Sequence, residues 1–316
     1  MTAAAPLFVT SGDFAADRRY KWALDHAARG DFSAAADILL QTVELAPAFA
    51  TAWFALGAIR DRLGERDAAM AAFENVQKLD PDDYHGARLQ LARLGAGEAA
   101  PPMTTAYVRR LFDQYAVRFE TSLVERLDYC GPALLREAVA AVMWRAGRPL
   151  RFGAMLDLGC GTGLAGEAFA PFADYLVGVD LSPAMIARAQ AKGLYGRLVT
   201  ADLLYALKVE AGEQTRYELA VAADVFVYVN ELGPVVDALS EILVPDGLFA
   251  FTVETHAGDG IKLLPTLRYA HAEDYVRTML RNARLTVARI DRKPIRSEKA
   301  VPVDSLVVVA QPSTVP

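Results

Sequence analysis

The spacing of apolar residues changes near residue 150. Before this point, apolar side chains recur every three or four positions, as in "AYVRRLFDQYAVRFETSL", and this period predicts amphipathic helices. Beyond it, short apolar runs such as "AMLDLG" and "DYLVGVD" alternate with helical stretches such as "PAMIARAQAKG". Strands that alternate with helices predict an α/β fold with a doubly wound, mostly parallel sheet. The first part of the chain predicts an all-α domain.

The first 95 residues contain an internal repeat with a period of 34 residues. Gly30 and Gly64 stand 34 positions apart, and so do Pro47 and Pro81. In the second copy, the spacing W-x2-L-G…A-x3-F…P is filled by Trp53, Leu56, Gly57, Ala69, Phe73 and Pro81. The segment therefore resembles tetratricopeptide repeats, in which each copy is a pair of antiparallel helices. A further amphipathic stretch, "DDYHGARLQLARLG", predicts a capping helix.

Composition indicates where these parts begin and end. "GAGEAAPPM" has few apolar anchors and predicts a linker. We therefore expect helical repeats with a capping helix over residues 1–95, a linker over 96–103, a helical segment over 104–150 and the α/β domain over 151–316. At the end of the chain, "LTVARIDRKPIR" and "VPVDSLVVVAQ" predict two strands joined by a turn, which gives the sheet an antiparallel edge strand.

A glycine-rich turn, "DLGCGTG" at residues 157–163, follows the first predicted strand of the α/β domain. Gly159, Gly161 and Gly163 alternate there, so another molecule can approach the main chain closely. A dinucleotide fold has G-x-G-x-x-G instead, and a P-loop needs Gly-Lys-Ser/Thr where this chain has Gly-Leu-Ala. Because ligands of open α/β sheets bind beyond the carboxyl ends of the strands, we expect a ligand site at this turn.

Three motifs together resemble those of class I methyltransferases that depend on S-adenosylmethionine (AdoMet). "MLDLGCGTG" resembles the first motif of that family, "GVDLS" places Asp180 at the end of the second strand, and "TADLL" places Asp202 after the third. The resemblance covers about residues 150–311. It implies a Rossmann-like sheet of seven strands, a ribose contact for Asp180 and an adenine contact for Asp202. It also implies that Met185 presses on the adenine ring.

The resemblance implies a set of cofactor-binding residues along the strand ends. They are Asp157, Gly159, Cys160, Gly161, Gly163, Asp180, Leu181, Met185, Asp202, Leu203 and Ala223. The order of repeats, "LFDQYAVRFETSLVERLDY" and this domain is also similar to a bacterial family of predicted tetratricopeptide-containing methyltransferases. In such enzymes the segment before the first strand folds over the cofactor as a lid. Residues 104–150 are therefore expected to be a lid, with Tyr107, Tyr115 and Arg118 as cofactor contacts; packing of the two tyrosines in the helix core and solvation of Arg118 are the alternatives.

The chemistry of AdoMet suits these residues. AdoMet carries a sulfonium cation and an ammonium group and has no pyrophosphate, so carboxylates at Asp157, Asp180 and Asp202 match it better than they match a dinucleotide. Each charge-assisted hydrogen bond of this kind contributes about 1.5–3 kcal/mol. The sequence thus predicts AdoMet as the cofactor and S-adenosylhomocysteine (AdoHcy) as its product.

The methyl acceptor is expected near the end of the fourth strand, in "AADVFVYVNEL". The candidate catalytic residues are Asp224 and Tyr228 in this stretch and His256 after the fifth strand. The motif N/D-P-P-Y/F of adenine amino methylation is absent, which argues against methylation of nucleic-acid bases. Methyl transfer mainly needs alignment, and a general base is required only when the acceptor must lose a proton. The basic run over residues 289–299 is expected to keep an edge strand solvated. The resemblance to the tetratricopeptide-containing methyltransferases, in which a similar Arg-x-Glu segment recurs, implies instead a substrate contact for Arg296.

Composition limits the partners and the compartment. The chain has 316 residues, a net charge of -6 and a pI near 5.4, which disfavours nucleic acid because phosphate contacts need Lys and Arg. Two cysteines, Cys130 and Cys160, fit a reducing compartment. No signal peptide, membrane span or metal-ligand spacing is predicted, so we expect a cytoplasmic protein without a metal.

These observations predict an AdoMet-dependent methyltransferase of a small-molecule acceptor. The alternatives are a protein or peptide methyltransferase whose repeats bind the target, a non-catalytic AdoMet-binding scaffold, and a nicotinamide-dependent reductase, which the glycine spacing disfavours. The repeats are rich in Ala and hold few Asn or Lys, so we expect them to dock on the catalytic domain or to self-associate rather than to bind a peptide.

Overall fold

The computed structural model describes residues 10–120, 128–298 and 300–313. The chain divides into two compact units: the first takes the residues up to Tyr107 together with 265–267, and the second takes the remainder. The first unit is helical and the second is α/β. The helical segment that precedes the first strand therefore contributes to both units.

Five of the described helices lie wholly in the first unit. They are α1 (Phe14–Ala28), α2 (Phe32–Leu45), α3 (Ala50–Arg62), α4 (Arg66–Leu79) and α5 (Ala87–Arg93). α1 pairs with α2 and α3 pairs with α4. The starts of α2 and α4, at 32 and 66, are as far apart as their ends, at 45 and 79, which matches the period of the sequence repeat. Gly30 and Gly64 have φ of +84° and +78° in the turns within the two pairs, which explains the glycine spacing.

Close contacts hold the helical unit together. Gly57 on α3 faces the ring of Phe73 on α4, and a Cβ at Gly57 would lie 2.7 Å from that ring. The buried His85, just before α5, contacts Asp80 Oδ2 through Nδ1 at 2.6 Å and Thr51 Oγ1 through Nε2 at 3.0 Å. These contacts tie the turn between α4 and α5 back to α3.

The second unit is a sheet between helices. Its helices are the continuation of α6 (Thr105–Tyr115), α7 (Gly131–Arg145), α8 (Leu164–Phe169), α9 (Pro183–Ala191), α10 (Leu203–Gly212), α11 (Gly233–Ser240) and α12 (Glu273–Asn282). Its strands are β1 (Phe152–Leu158), β2 (Ala173–Asp180), β3 (Arg197–Thr200), β4 (Tyr217–Ala222), β5 (Leu243–Glu254), β6 (Ile261–Leu263), β7 (Tyr269–His271), β8 (Leu285–Arg292), β9 (Ser297–Glu298), β10 (Val301–Pro302) and β11 (Ser305–Pro312). The alternation of strands and helices agrees with the sequence pattern.

Within the described residues the main sheet has nine strands, so the expectation of seven is wrong. Seven lie in the order β3-β2-β1-β4-β5-β11-β8, and β7 pairs with β5 and with β6. The first five of this order are parallel. β6 and β7 have three residues each, too few to show an alternating pattern.

The antiparallel strand lies inside the sheet rather than at its edge. β11 is antiparallel to both β5 and β8 and lies between them, so β8 is the edge strand. The connection from β8 to β11 is also longer than the expected turn, because β9 and β10 form a separate antiparallel pair within it.

Helices cover both faces of the sheet. Leu156 and Leu158 of β1 pack with α10, α11 and α12 on one face, whereas Met155 packs with α7 and α8 on the other. Burial on both faces explains why the strands read as nearly continuous apolar runs. Polar side chains are therefore concentrated at the strand ends.

Candidate active site

The carboxyl ends of three neighbouring strands meet at one edge of the sheet. β1 lies between β2 and β4 and is parallel to both. The residues that follow these strands are therefore neighbours: the glycine loop, defined here as residues 159–163, residues 181–182 after β2, and residues 223–225 after β4. The structure thus brings together the strand ends that the sequence singles out.

The glycine loop requires its glycines. Gly159, Gly161 and Gly163 have φ of +64°, +54° and +94°, a region that favours glycine. A Cβ at Gly159 would also lie 2.6 Å from Val225 Cγ2. At Gly161 the nearest atom outside the loop would be Phe119 Cε1 at 3.8 Å, so the main chain is more open there.

Asp180 joins the glycine loop to the segment that begins α9. Its Oδ2 accepts a hydrogen bond from the N–H of Gly161, and its Oδ1 accepts one from the N–H of Ser182, both at 2.8 Å. Burial raises the pKa of Asp180 above its ordinary value, although the two N–H groups act in the opposite direction. The buried Cys160 ties the loop to β2, because its N–H donates to the carbonyl of Val179 at 3.0 Å.

Asp157 is buried near the end of β1, and only one of its oxygens has a bonded partner. The hydroxyl of Tyr195 donates to Oδ2 at 2.6 Å, while Oδ1 is buried without a hydrogen-bond partner among the described residues. Burial raises the pKa of Asp157 to about 7, and Asp180 adds to the rise, whereas Tyr195 and the N–H of Gly166 act against it. Tyr195 carries no signal in the sequence, because it stands before β3 and reaches β1 only through the fold.

Asp202 begins α10. Its Oδ1 accepts hydrogen bonds from the N–H groups of Leu204 at 3.0 Å and Tyr205 at 3.2 Å, so it acts as the N-cap. Leu203, the first helical residue, is partly buried. Both of the hydrogen bonds from Leu204 and Tyr205 go to Oδ1. They do not test the contact of Asp202 with adenine, which stays a prediction.

The other expected contacts of the adenosine moiety lie on α9 and beside it. Met185 is completely buried, and its N–H donates to the Oγ of Ser182 at 3.1 Å, which caps the helix. Leu181, after β2, and Ala223, after β4, are both partly buried. Their cofactor contacts also stay predictions.

Aromatic rings from α6 and the residues after it lie next to the glycine loop. Phe119 approaches Gly161, and its ring contacts those of Tyr115 at 5.7 Å and Phe112 at 6.3 Å. Phe112 in turn meets the ring of Tyr228 edge-on at 5.0 Å. The aromatic group therefore extends from the glycine loop to the residues after β4.

Polar contacts hold α6 against the loop between β2 and α9. The hydroxyl of Ser182 donates to Asp113 Oδ1 at 2.5 Å. Arg109 Nε donates to the carbonyl of Leu181 at 3.3 Å. α6 is thus fixed beside two of the strand-end segments.

The three expected lid contacts have different positions. Tyr115 lies among the aromatic rings just described. Tyr107 belongs to the first unit, where its ring is packed against Gly86. The backbone of Arg118 ends a short 3-10 helix, Ala116–Arg118, while its side chain and residues 121–127 lie outside the described part of the chain.

Asp224 follows β4 in a backbone conformation that is unusual for a residue other than glycine. Its φ is +59°, and its N–H donates to Thr252 Oγ1 at 2.8 Å. Its carboxylate accepts a hydrogen bond from the guanidinium of Arg296, which also binds Glu254. Arg296 is 1% exposed, so the expectation that the basic run is solvated is wrong at this residue.

A second buried arginine completes what we call the ionic cluster, which consists of Asp224, Glu254, Arg268, Arg296 and Glu298. Arg268, just before β7, contacts Glu254 at 3.4 Å and also binds Glu298. Burial raises the pKa of Glu254, against the effect of the two arginines. Burial opposes ionisation of Glu298 as well, but there the arginines prevail and lower its pKa. Five charged groups are therefore held beyond the ends of β4 and β5.

Tyr228 lies beside the ionic cluster. It ends a short 3-10 helix, Phe226–Tyr228, and is partly buried. Burial raises the pKa of Tyr228, and a hydrogen bond with Arg268 acts in the opposite direction. Two of the predicted catalytic residues, Asp224 and Tyr228, are therefore near the same pair of arginines.

His256 is bound by its own loop. The N–H of Gly258 donates to Nδ1 at 3.0 Å, and Nε2 lies 3.3 Å from the carbonyl of Gly260. These contacts place the ring proton on Nε2, which donates to that carbonyl. Since both ring nitrogens are engaged, the geometry favours a role in shaping the loop, and catalysis by His256 stays a prediction.

Most of the ionic cluster was not identified from the sequence. Glu254 stands at the end of an apolar strand, and an acid in that position is the one local signal that points to the ligand edge. Arg268 and Glu298 lie in segments without a strong pattern. Their meeting depends on the order of strands in the sheet.

Comparisons with known proteins agree with this geometry. Residues 156–249 match a family model described as a methyltransferase domain. The chain is 32% identical over 94 residues to a ubiquinone biosynthesis O-methyltransferase of Bradyrhizobium sp. (strain ORS 278), which covers 30% of this chain and 37% of that protein. It is 38% identical over 108 residues to methyltransferase-like protein 27 of Homo sapiens, covering 34% of this chain and 42% of that protein. The chain thus spans less than half of the length of these curated relatives.

Solved structures include a similar chain described as an S-adenosylmethionine-dependent methyltransferase from Clostridium acetobutylicum ATCC 824. The identity is 16% and the TM-score 0.46, and the similarity covers 64% of this chain and 99% of that one.

The segment that matches the family model lies within the second unit. It runs from β1 into β5 and includes the glycine loop, Asp180 and Asp202. This part of the chain is therefore similar to methyltransferase domains. Among the described residues, no helix is both long and apolar enough to cross a membrane, and no group of three or more His, Cys, Asp or Glu is arranged to hold a metal.

Proposed function

We propose that this protein transfers a methyl group from AdoMet to a small-molecule acceptor. One observation carries the proposal: a turn of three left-handed glycines and two buried carboxylates, Asp157 and Asp180, share one edge of the sheet. A cationic nucleoside without phosphates complements such a site, whereas the pyrophosphate of a dinucleotide would be repelled by it. The methyltransferase match over residues 156–249 supports the same function.

The residues present fit the cofactor. Oδ1 of Asp157, a buried acceptor without a hydrogen-bond partner in the part of the chain that the structure describes, is suited to an ammonium group. Each oxygen of Asp180 already accepts one N–H but keeps a lone pair, so it can also accept a ribose hydroxyl. Asp202 would accept a hydrogen bond from the adenine amino group, and Met185 would pack against the adenine ring. AdoMet, when bound, supplies an activated methyl group.

Asp224 is the proposed contact to the acceptor. Its side chain is 10% exposed, whereas that of Arg296 beneath it is 0% exposed, so an arriving acceptor meets the carboxylate before the guanidinium. A carboxylate held in this way accepts a hydrogen bond from an acceptor hydroxyl or amine and takes its proton as the methyl group is transferred. Tyr228 would orient the acceptor beside it.

The acceptor class can be tested by supplying AdoMet with separate small-molecule and protein fractions of a cell extract and measuring AdoHcy. We expect the small-molecule fraction to stimulate AdoHcy formation. Stimulation by the protein fraction alone would contradict the proposed acceptor and favour a protein or peptide target. AdoHcy binding without stimulation by any fraction would favour a binding scaffold.

The cofactor assignment can be tested with Asp180→Ala. We expect AdoMet to bind at least about tenfold more weakly, because the substitution removes a charge-assisted hydrogen bond to the ribose and releases the glycine loop. Asp174→Ala, at the exposed start of the same strand, is the matched control and should bind AdoMet as the wild type does. Unchanged affinity in Asp180→Ala would contradict the ribose contact.

We also infer that the first unit consists of tetratricopeptide-like repeats. The support is the equal offset of the helix ends, from 32 to 66 and from 45 to 79, and the left-handed glycines in both turns. Its proposed role is self-association or docking rather than peptide binding, and sedimentation of the full chain would measure the former. A cytoplasmic location is part of the same proposal and agrees with the two free cysteines.

A further inference from the structure

Tyr195 occupies a slot formed by three glycines of different elements. Gly166 is on α8, Gly178 is on β2 and Gly163 ends the glycine loop. A Cβ at Gly166 would overlap the hydroxyl of Tyr195, one at Gly178 would lie 2.8 Å from its ring, and one at Gly163 would lie 3.2 Å from it. A larger residue at Gly166 or Gly178 would therefore displace the ring. The space that Tyr195 needs thus explains Gly166, which lies outside the recognised motifs. Gly178, the first residue of "GVDLS", also faces Leu198 Cδ2, at 2.7 Å from a Cβ built there.

The slot directs the hydroxyl of Tyr195 to Asp157. The hydroxyl donates to Oδ2 at 2.6 Å, and this bond fixes the rotation of the carboxyl group. The other oxygen, Oδ1, then stays buried without a hydrogen-bond partner among the described residues. A buried acceptor of this kind is costly unless a ligand donor reaches it.

We propose that Tyr195 is a positioning residue for the amino acid moiety of the cofactor. It holds the Asp157 carboxyl group so that Oδ1 is left to accept a hydrogen bond from an ammonium group. The inference rests on the proposed function, because the ammonium group is that of AdoMet or AdoHcy. It adds to that function a residue outside the glycine loop and a measurable proton exchange.

Binding of the ammonium group expels a proton from Asp157. Burial raises the pKa of Asp157 to about 7, so below that pH the carboxyl group is mostly protonated before binding. An ammonium ion next to Oδ1 favours the ionised carboxylate. The O–H bond of the carboxyl group then breaks and the proton leaves to solvent, so that one negative and one positive charge remain paired in the site.

Other titratable groups near Asp157 must be distinguished from it. Burial raises the pKa of Tyr195, Cys160 and Tyr129, so these three groups remain protonated through neutral pH. Asp180 is the other nearby acid, and burial raises its pKa too. A variant of Asp157 itself is therefore needed to assign the proton.

Calorimetric titration with AdoHcy measures its affinity. Repeating the titration between about pH 5.5 and 8.5, in buffers that differ in their heat of ionisation, also measures the number of protons released on binding. In the wild type we expect nearly one proton to be released at the acid end and little at the alkaline end. Tyr195→Phe keeps the ring but loses the bond that lowers the pKa of Asp157. Its proton release should extend to higher pH, and its affinity at pH 7 should fall about tenfold and recover as pH rises.

Tyr217→Phe is the matched control. Its hydroxyl donates to the buried Glu210 at 2.8 Å, at the opposite end of the sheet, so it loses the same kind of bond without touching the site. Its proton release should follow the wild type. An equal fall in the affinity of Tyr195→Phe at every pH would indicate a merely structural role and overturn the proposal.

Two further variants keep the test decisive. Gly166→Ala pushes the hydroxyl of Tyr195 away from Asp157 without changing either residue, and should shift proton release in the same direction as Tyr195→Phe. Asp157→Asn should release no proton at any pH. Persistent release in Asp157→Asn would assign the proton to Asp180 and overturn the proposal.

Methylthioadenosine, which lacks the amino acid moiety, separates this inference from the proposed function. We expect it to bind the wild type and Tyr195→Phe equally, without proton release. If neither methylthioadenosine nor AdoHcy binds, the proposed function itself fails. If AdoHcy binds and Tyr195→Phe has the wild-type proton release, only the role of Tyr195 fails.

Discussion

Asp157 and Asp180 end adjacent parallel strands, yet they differ in what their oxygens can still accept. Each oxygen of Asp180 accepts one hydrogen bond from a backbone N–H, and the bond from Gly161 fixes the glycine loop. Among the described residues Asp157 is bonded through Oδ2 alone and keeps a buried acceptor, Oδ1. The first acid is therefore already stabilised by the fold, whereas the second is stabilised fully only when a cation arrives. The buried acceptor of Asp157, which suits a ligand cation, therefore lowers the stability of the ligand-free fold.

The stability of the ligand-free protein should depend on the ionisation of Asp157. Its carboxyl group has an ordinary pKa of 3.8 in the unfolded chain and a pKa of about 7 in the fold. The fold binds this proton more tightly between the two values, so the free energy of unfolding falls as pH rises from about 4 to about 7. The loss amounts to about 4 kcal/mol for a shift of about three units.

Asp157→Asn should remove this loss. Denaturant unfolding at pH 5 and pH 8 should show a smaller decrease for the variant than for the wild type. Asp174→Asn, an exposed surface acid on β2, should retain the wild-type decrease. Identical pH dependence in Asp157→Asn and the wild type would show that Asp157 is ionised in the fold at both values.

At the scale of single residues, the sequence predicts the acidic residues of the site well and their hydrogen-bond partners poorly. Asp157, Asp180 and Asp202 stand at or near the ends of strands, and a local motif is enough to find them. The sequence predicts no position for Tyr195, and the solvation expected for Arg296 is wrong, because each side chain reaches its acid from a distant part of the chain. A tyrosine before a strand, or an arginine in a basic run, has the same local pattern whether it is buried or solvated.

Among the elements, α6 makes the contacts that are most specific to the ligand edge. Its aromatic residues lie between the glycine loop and Tyr228, and Asp113 binds the hydroxyl of Ser182. The same hydroxyl accepts the N–H of Met185 at the start of α9. One serine therefore couples α6 to the helix that carries a predicted adenine contact.

Asp113→Ala should loosen α6 over the site. The substitution removes the acceptor of the Ser182 hydroxyl, so we expect AdoHcy to dissociate several-fold faster with a smaller change in its association rate. Stopped-flow fluorescence of AdoHcy release measures this. Asp237→Ala, an exposed acid on α11, is the matched control. Equal dissociation rates in all three proteins would show that α6 does not limit release.

Element prediction from sequence depends on length and burial. The long strands β1, β2, β4 and β5 are read from apolar runs because both faces are covered. The three-residue strands β6 and β7 are not predicted, because β7 is defined by its pairing with β5 and β6 by its pairing with β7 rather than by a sequence pattern. The place of β11 inside the sheet also depends on pairing alone, and it is this order that brings Arg296 to Asp224.

On the scale of the whole molecule, each unit has a core of its own. Tyr20, Leu39 and Leu56 belong to the core of the helical unit, while Leu207 and Phe249 belong to that of the α/β unit. The strand-end residues that define the candidate site all come from the second unit. Binding of AdoHcy should therefore stabilise the second unit by mass action, without an energetic requirement on the core of the first.

Leu39→Ala and Leu207→Ala form a matched pair for this expectation. Both leucines are buried on helices, with 1% and 0% exposure, and each truncation should cost about 2–5 kcal/mol in its own unit. Calorimetric melting with and without AdoHcy should show that the ligand raises the transition of the second unit in both variants, and that Leu39→Ala binds AdoHcy with wild-type affinity. The wild type, Leu39→Ala and Leu207→Ala carry the same site residues, so any difference in AdoHcy affinity reports on the cores. An affinity loss in Leu39→Ala as large as that in Leu207→Ala would contradict the expectation. It would mean that the two units unfold as one cooperative body and that the repeats support the site directly.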